Sequence, residues 1–287
     1  MTDVNSANSP VNIKICPDDI LAKLHQLPTL TIVVREIIAS FKNENTDSIT
    51  LTSKISQDQG LSAKILRVAN SPFYGLSRKV GTVQEAALVI GFNSIRNLAL
   101  SAGFMLAFPH SQDNLFDRKS YWLHSFRVAG YTQALAKCLG HDQQLAFTIG
   151  MFHDIGLLVL DVCIPERFAG ILAKQNASGL ELTEIEQAEL GFDHALVGAE
   201  MAKRWNFPQE IEQSIHYWRT PEHEPFGWSI DMVYVAVLLE KGLREDELIN
   251  SLPAGLCDRL QLSWECIKNV LPDPEQLDIV AHQIIEG

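Results

Sequence analysis

The chain contains no Cys-x-x-Cys pair, no Gly-rich phosphate loop and no Gly-x-Ser-x-Gly elbow. Thiol-based zinc knuckles, P-loop nucleotide chemistry and α/β-hydrolase catalysis are thereby set aside. Its five cysteines, Cys16, Cys138, Cys163, Cys257 and Cys266, are odd in number. A disulfide or a metal role stays open for them, and the plainer reading is buried free thiols in a reducing cytosol. Long apolar runs are missing too. The longest uncharged stretch, Asn97 to Gln112, is interrupted by Asn, Ser, Gly, Pro and His, so no membrane-spanning helix is expected. The opening residues, MTDVNSANSP, have neither a basic segment nor an apolar core, and a cytoplasmic protein without a secretory signal is the expectation.

Positive charge is scarce: 23 Lys and Arg stand against 35 Asp and Glu, for a net charge of −12. The imbalance is concentrated after residue 110, where 13 basic residues face 27 acidic ones. Such a surface repels phosphate backbones and anionic lipid alike, so neither nucleic acid nor a membrane is an expected partner. What the chain does have is apolar content. At 287 residues and 46% hydrophobic, it has the means for a sizeable core in one or two packed units.

Strand-like alternation is absent, and the period is helical almost throughout. Leu61, Ile65, Val68 and Ala69 share one helical face, as do Ile95, Leu98, Ala99, Ala102 and Leu106. Thr82 with Glu85, and Thr183 with Glu186, fit capping boxes. Asn93, Asp142 and Asp193 read as N-caps, Pro165 and Pro208 suit first turns, and Gly91, Gly140 and Gly179 mark helix ends. The expected fold class is all-α. Residues 1–17 read as a flexible leader, 18–108 as an N-terminal helical unit and 112–287 as a second helical unit, with a polar joint at Pro109–Lys119. The two units are expected to share a core, because Asn97 to Phe108 is too apolar to face water on all sides.

The segment Ala146–Leu160, AFTIGMFHDIGLLVL, is the most informative. As a helix it is apolar nearly all round and therefore buried. A buried Asp154 must be paired, protonated or bound to a cation. His124 lies on the line of Val128, Tyr131, Leu135 and Cys138, and His194 on that of Val197, Gly198, Met201 and Trp205. Both should point inward. His194 follows the Asp193 cap, where a helix N-terminus favours a neutral ring. His124, His153, Asp154 and His194 thus form a candidate set for one first-row divalent ion, Fe, Mn, Zn or Ni. The alternative is a hydrogen-bonded polar network without metal. His216 shares the face of Glu212 and Arg219, which reads as solvated; His25, His110, His141, His223 and His282 read as surface residues.

Several stretches carry a resemblance. They are LPTL at 27–30, QDQGLSAKILRVANSPFYG at 57–75, VQEAALVIGFNSIRNLAL at 83–100, YWLHSFRVAG at 121–130, FHDIGLLVL at 152–160 and ELGFDHALVGAEMAKRWNFP at 189–208. In this order they resemble the HDOD family, the output-domain relatives of HD and HD-GYP metal-dependent phosphohydrolases. The resemblance implies an N-terminal helical part packed on a degenerate HD-type bundle. It also implies metal ligands at His124, His153 and Asp154, with His194 similar to the extra histidine of two-metal enzymes, and Asp154 as the catalytic carboxylate if the chain is active.

The departures from that pattern are specific. Leu157 stands where a phosphate-assisting Lys is usual, Trp218-Arg219 where a tandem His-His is usual, and Val237 where the late Asp falls. Asp231 lies about 240° round a helix from Val237 and should face elsewhere. The resemblance then implies a regulatory output protein without catalysis, acting on a protein partner in a signalling pathway. Pro72, Phe73 and Tyr74 could present an apolar contact, unless that turn packs on its own domain. A metal-dependent phosphohydrolase acting on a nucleotide or cyclic dinucleotide is the alternative.

Overall fold

The computed structural model describes residues 22–42, 47–109 and 116–285, and among them every regular element is helical. The leader at 1–17 and most of the joint expected at Pro109–Lys119 lie outside the described residues. A 3-10 turn at Leu24–Gln26 precedes α1 (Ile32–Ser40), α2 (Ser48–Gln57), α3 (Gln59–Ala69), α4 (Val83–Ile90) and α5 (Phe92–Ala107). The chain continues with α6 (Arg118–Leu139), α7 (Gln143–Phe152), α8 (Ile155–Cys163), α9 (Pro165–Ser178), α10 (Leu182–Leu190), α11 (His194–Arg204), α12 (Gln209–Tyr217) and α13 (Trp228–Glu240). Four short or terminal helices close it: α14 (Glu245–Ser251), α15 (Leu256–Leu260), α16 (Trp264–Val270) and α17 (Pro274–Ile285).

Most helix ends fall where the side-chain chemistry puts them. Thr82, Asp142 and Asp193 accept first-turn amide hydrogens of α4, α7 and α11. Gly140 and Gly179 end α6 and α9 in the left-handed region that a side chain would strain. Two expected caps are corrected. Helix α5 starts directly after Gly91, so Asn93 sits inside its first turn. Helix α10 begins at Leu182 after Glu181, Thr183 caps nothing, and Glu186 is drawn into the interior. The apolar face expected on α5 is buried except at Leu106, which turns outward at the last turn.

One continuous hydrophobic cluster spans both halves of the chain. Phe104 of α5 packs its ring 4.6 Å from Phe152 at the end of α7 and 4.9 Å from Trp205 after α11. Helix α17 folds back against α6 and α3. There Lys64, buried in α3, donates its ammonium to the carbonyl of Ile284, which satisfies a helix end that water cannot reach. Asn70 donates to the Val80 carbonyl at 2.9 Å and accepts from the Val80 amide at 2.8 Å, closing the loop that contains Pro72–Gly75. Within that loop Tyr74 packs on the core and Phe73 stays partly exposed, edge-on to it. The residues that make this segment recognisable therefore do structural work.

The stretch expected as one buried helix is two. Taken together, Gln143–Cys163 is long and apolar enough to cross a membrane by composition, but the protein buries it and breaks it at His153-Asp154. Two glycines explain how tightly it is held. A Cβ on Gly150 would lie 2.7 Å from the Ala129 backbone of α6, and one on Gly156 would lie 1.8 Å from the carbonyl oxygen of His194.

Cysteine usage differs from the plainer expectation. Cys138 at the end of α6 and Cys266 in α16 form a disulfide with Cα atoms 6.0 Å apart, whereas Cys163 is free and buried and Cys257 free and half-buried. The sequence could not show this, since the two partners are 128 residues apart. A cross-link over so long a loop restricts the unfolded chain, and its reduction is expected to lower stability by about 2–4 kcal/mol. Thermal unfolding with and without dithiothreitol measures this, and Cys266→Ser should remove the dependence on reductant.

Candidate functional site

The break between α7 and α8 builds the site. His153 closes α7 in helical conformation, and Asp154 precedes α8 without capping it, so its carboxylate is left to face inward. His153 is fully buried and Asp154 nearly so. Nδ1 of His153 donates to the Gly150 carbonyl at 2.7 Å. Because a carbonyl only accepts, the Nε2 of the neutral ring carries the lone pair. That Nε2 is buried, lies 3.4 Å from Asp154 Oδ2 and has no hydrogen-bond partner.

His124 arrives from α6, its ring centre 5.3 Å from that of His153. Its side chain is about one-third exposed rather than fully interior, because Nδ1 reaches outward to Glu240 Oε2 of α13 at 3.2 Å. Glu240 is held in turn by Arg127, whose guanidinium also forks onto Asp278 of α17 at 2.6 and 2.7 Å. A carboxylate fixing one ring nitrogen orients the other toward a ligand, as second-layer carboxylates do in metal proteins. Ligand atoms of His124, His153 and Asp154 lie within 4.8 Å of one another. Two imidazole nitrogens and a carboxylate suit a first-row divalent ion, so the donor set fits a metal.

His194, the first residue of α11, is brought to the same carboxylate from the opposite side. Its Nε2 lies 3.4 Å from Asp154 Oδ1, and its Nδ1 donates to Glu186 Oε2 at 2.6 Å. The neutral ring expected at a helix N-terminus is contested. Burial, the largest single influence, disfavours the imidazolium, but the Glu186 and Asp154 carboxylates together outweigh it and pull the pKa up to about 9. By the positions of its ring nitrogens, His194 stays outside the donor trio.

The largest surprise is Arg219. Two residues past α12, it leaves the solvated face expected for it and lays its guanidinium 4.2 Å over the Trp218 ring. Its Nη2 sits 3.2 Å from both oxygens of Asp154 and 3.0 Å from His194 Nε2. Burial, the largest single influence, would raise the Asp154 carboxyl; the Arg219 guanidinium, His153 and His194 together outweigh it and hold Asp154 well below the usual carboxylate range. Asp231 is taken up by Arg259, at 2.7 and 2.8 Å, and Val237 is buried on α13. Sequence reading missed Glu186, Glu240 and the inward turn of Arg219. Only Glu240 left a signal, three residues after Val237 on the same helical side.

His153 gives the site a pH signature. Burial pushes its pKa down to about 4 from an ordinary 6.5. The neutral ring is favoured in the folded state, so its contribution is intact above about 6.5 and falls away as pH drops toward 4. Chemical denaturation across that window should show a loss of up to about 3 kcal/mol, which His153→Gln flattens. Asp154 contributes in the same direction only at lower pH, below the ordinary carboxylate value of 3.8.

The sequence pattern of the HDOD domain matches residues 27–221, well over half of the chain. The chain belongs to the HDOD family. Its all-helical fold is shared by solved relatives. A candidate phosphohydrolase from Shewanella amazonensis SB2B is 27% identical, with a TM-score of 0.78 over 93% of this chain and 98% of that one. A candidate signal transduction protein from Marinobacter aquaeolei VT8 is 23% identical, with a TM-score of 0.77 over 93% of this HDOD chain and 65% of that one. An HDOD domain protein of unknown function from Geobacter sulfurreducens is 20% identical, with a TM-score of 0.71 over 93% of each. An uncharacterised Treponema pallidum protein is 24% identical over 205 residues, and the HDOD chain spans only 39% of its length.

Proposed function

We propose that this HDOD chain is a cytoplasmic regulatory output protein that turns over no substrate and acts by binding a protein partner in a signalling pathway. The observation that carries this reading is the guanidinium of Arg219 on Asp154, 3.2 Å from each oxygen. A hydrolytic HD site needs that carboxylate for metal and an open position for water. Here a side-chain cation already neutralises it. Leu157 and Val237 agree with the reading, as neither supplies the usual cation or carboxylate. The name of the Marinobacter relative, a candidate signal transduction protein, points the same way.

The second reading, a metal-dependent phosphohydrolase acting on a nucleotide or cyclic dinucleotide, is favoured by the retained trio of His124, His153 and Asp154. Its chemistry would be the activation of water by a bound metal, with these three residues as ligands. One assay separates the two. With Mn2+ or Fe2+ supplied, the protein is expected to release no product from nucleotides, cyclic dinucleotides or bis(p-nitrophenyl) phosphate above the buffer rate. Turnover that disappears in Asp154→Asn while that variant is still folded would establish the phosphohydrolase instead. Affinity capture across several growth conditions tests the partner, and recovery of no reproducible protein counts against it.

A further inference from the structure

The cation on Asp154 leaves the rest of the site unserved. Arg219 engages Asp154 and His194 through Nη2 alone, and its own Nε is buried without a partner. His153 Nε2, on the other side of the carboxylate, is likewise buried and unpartnered, as is Trp218 Nε1 beneath the guanidinium. Each such group forgoes a hydrogen bond it had in water, at a typical cost of about 1–3 kcal/mol. The arginine therefore satisfies half of a polar pocket and strands the other half. Its side chain is 29% exposed, so solvent lies along one side of it.

We propose that Arg219 is a tethered, displaceable cation that sets the metal affinity of the trio His124, His153 and Asp154. A divalent ion would take up the stranded lone pair of His153 together with His124 and Asp154, and it must compete with Arg219 for the carboxylate. Two like charges cannot share Asp154 at contact distance without mutual repulsion. Arg219 then swings out along its exposed side, and Trp218 loses the guanidinium over its ring. The inference rests on the reading that Arg219 occupies rather than serves the site. Its test measures no turnover, so either can fail without the other.

The experiment is Mn2+ titration by calorimetry on the full chain, paired with metal-dependent melting. Wild type is compared with Arg219→Gln and Arg219→His, each with and without Asp154→Asn. Removal of one neighbouring charge commonly changes the occupancy of a carboxylate by about tenfold or more. Both variants are expected to bind one Mn2+ at least about tenfold more tightly than wild type and to melt higher in its presence. Adding Asp154→Asn should abolish the gain. Equal affinity in wild type and variants, or no binding in any of them, overturns the proposal. A gain that survives Asp154→Asn also overturns it, because the metal then lies elsewhere. Loss of fold in both Arg219 variants would show a fixed structural cation rather than a displaceable one.

Discussion

Gly156→Ala is expected to leave little folded protein, with a loss of about 4 kcal/mol or more. The added methyl would sit 1.8 Å from the His194 carbonyl oxygen, 2.7 Å from its carbon and 3.0 Å from the Gly198 amide nitrogen. All three are backbone atoms, so no rotamer change relieves the overlap, and α8 would have to move off α11. That movement would also pull Asp154 from His194, since Gly156 follows the carboxylate by two residues. Gly170 provides the contrast. It lies inside α9 with nothing within 4 Å of an added Cβ, and Gly170→Ala should stabilise by about 0.5–1 kcal/mol through helix propensity. Urea unfolding of the two variants beside wild type measures both signs. Wild-type stability in Gly156→Ala would mean that α8 and α11 can separate at little cost.

Asp154→Asn should be the next most damaging change, at about 3–5 kcal/mol. It removes the negative charge facing Arg219 and leaves that guanidinium against only an amide and the His194 ring. The amide must also turn its NH2 toward at least one donor, which adds an unmet hydrogen bond. The informative variant is the double change Asp154→Asn with Arg219→Gln. If the pair is coupled as its geometry says, the double variant loses less than the sum of the singles, by about 1 kcal/mol or more. Thermal and urea denaturation of the four proteins close that cycle, and strict additivity would show that the 3.2 Å contacts carry no coupling.

Helical periodicity, caps and glycine stops made the all-α fold legible, and the quoted motif stretches singled out His124, His153 and Asp154, which the fold brings together, with His194 beside them. What escaped has physical reasons. The His153-Asp154 break carries no glycine or proline, so an unbroken apolar stretch read as one helix. Arg219 was assigned by extending the period of α12, yet that helix ends at Tyr217 and the two residues beyond it obey no helical phase. Glu186 matched a capping spacing with Thr183, and a long-range partner, His194, claimed it instead. The Cys138–Cys266 link joins parts of the chain that no local pattern relates. Local chemistry fixes elements, and pairings between distant elements need the fold.

Glu240 and Asp278 lie beyond residue 221, where the match to the HDOD sequence pattern ends. A shortened protein covering 27–221 would keep His124, His153, Asp154, His194 and Arg219 intact. It would nonetheless lose the only carboxylate on His124 that the described residues show, along with the two helices that brace α6 behind it. The orientation of one candidate ligand thus depends on a part of the chain outside the HDOD sequence pattern. Relatives with identical ligands but different tails would hold that imidazole differently, and could diverge in what the same site accepts.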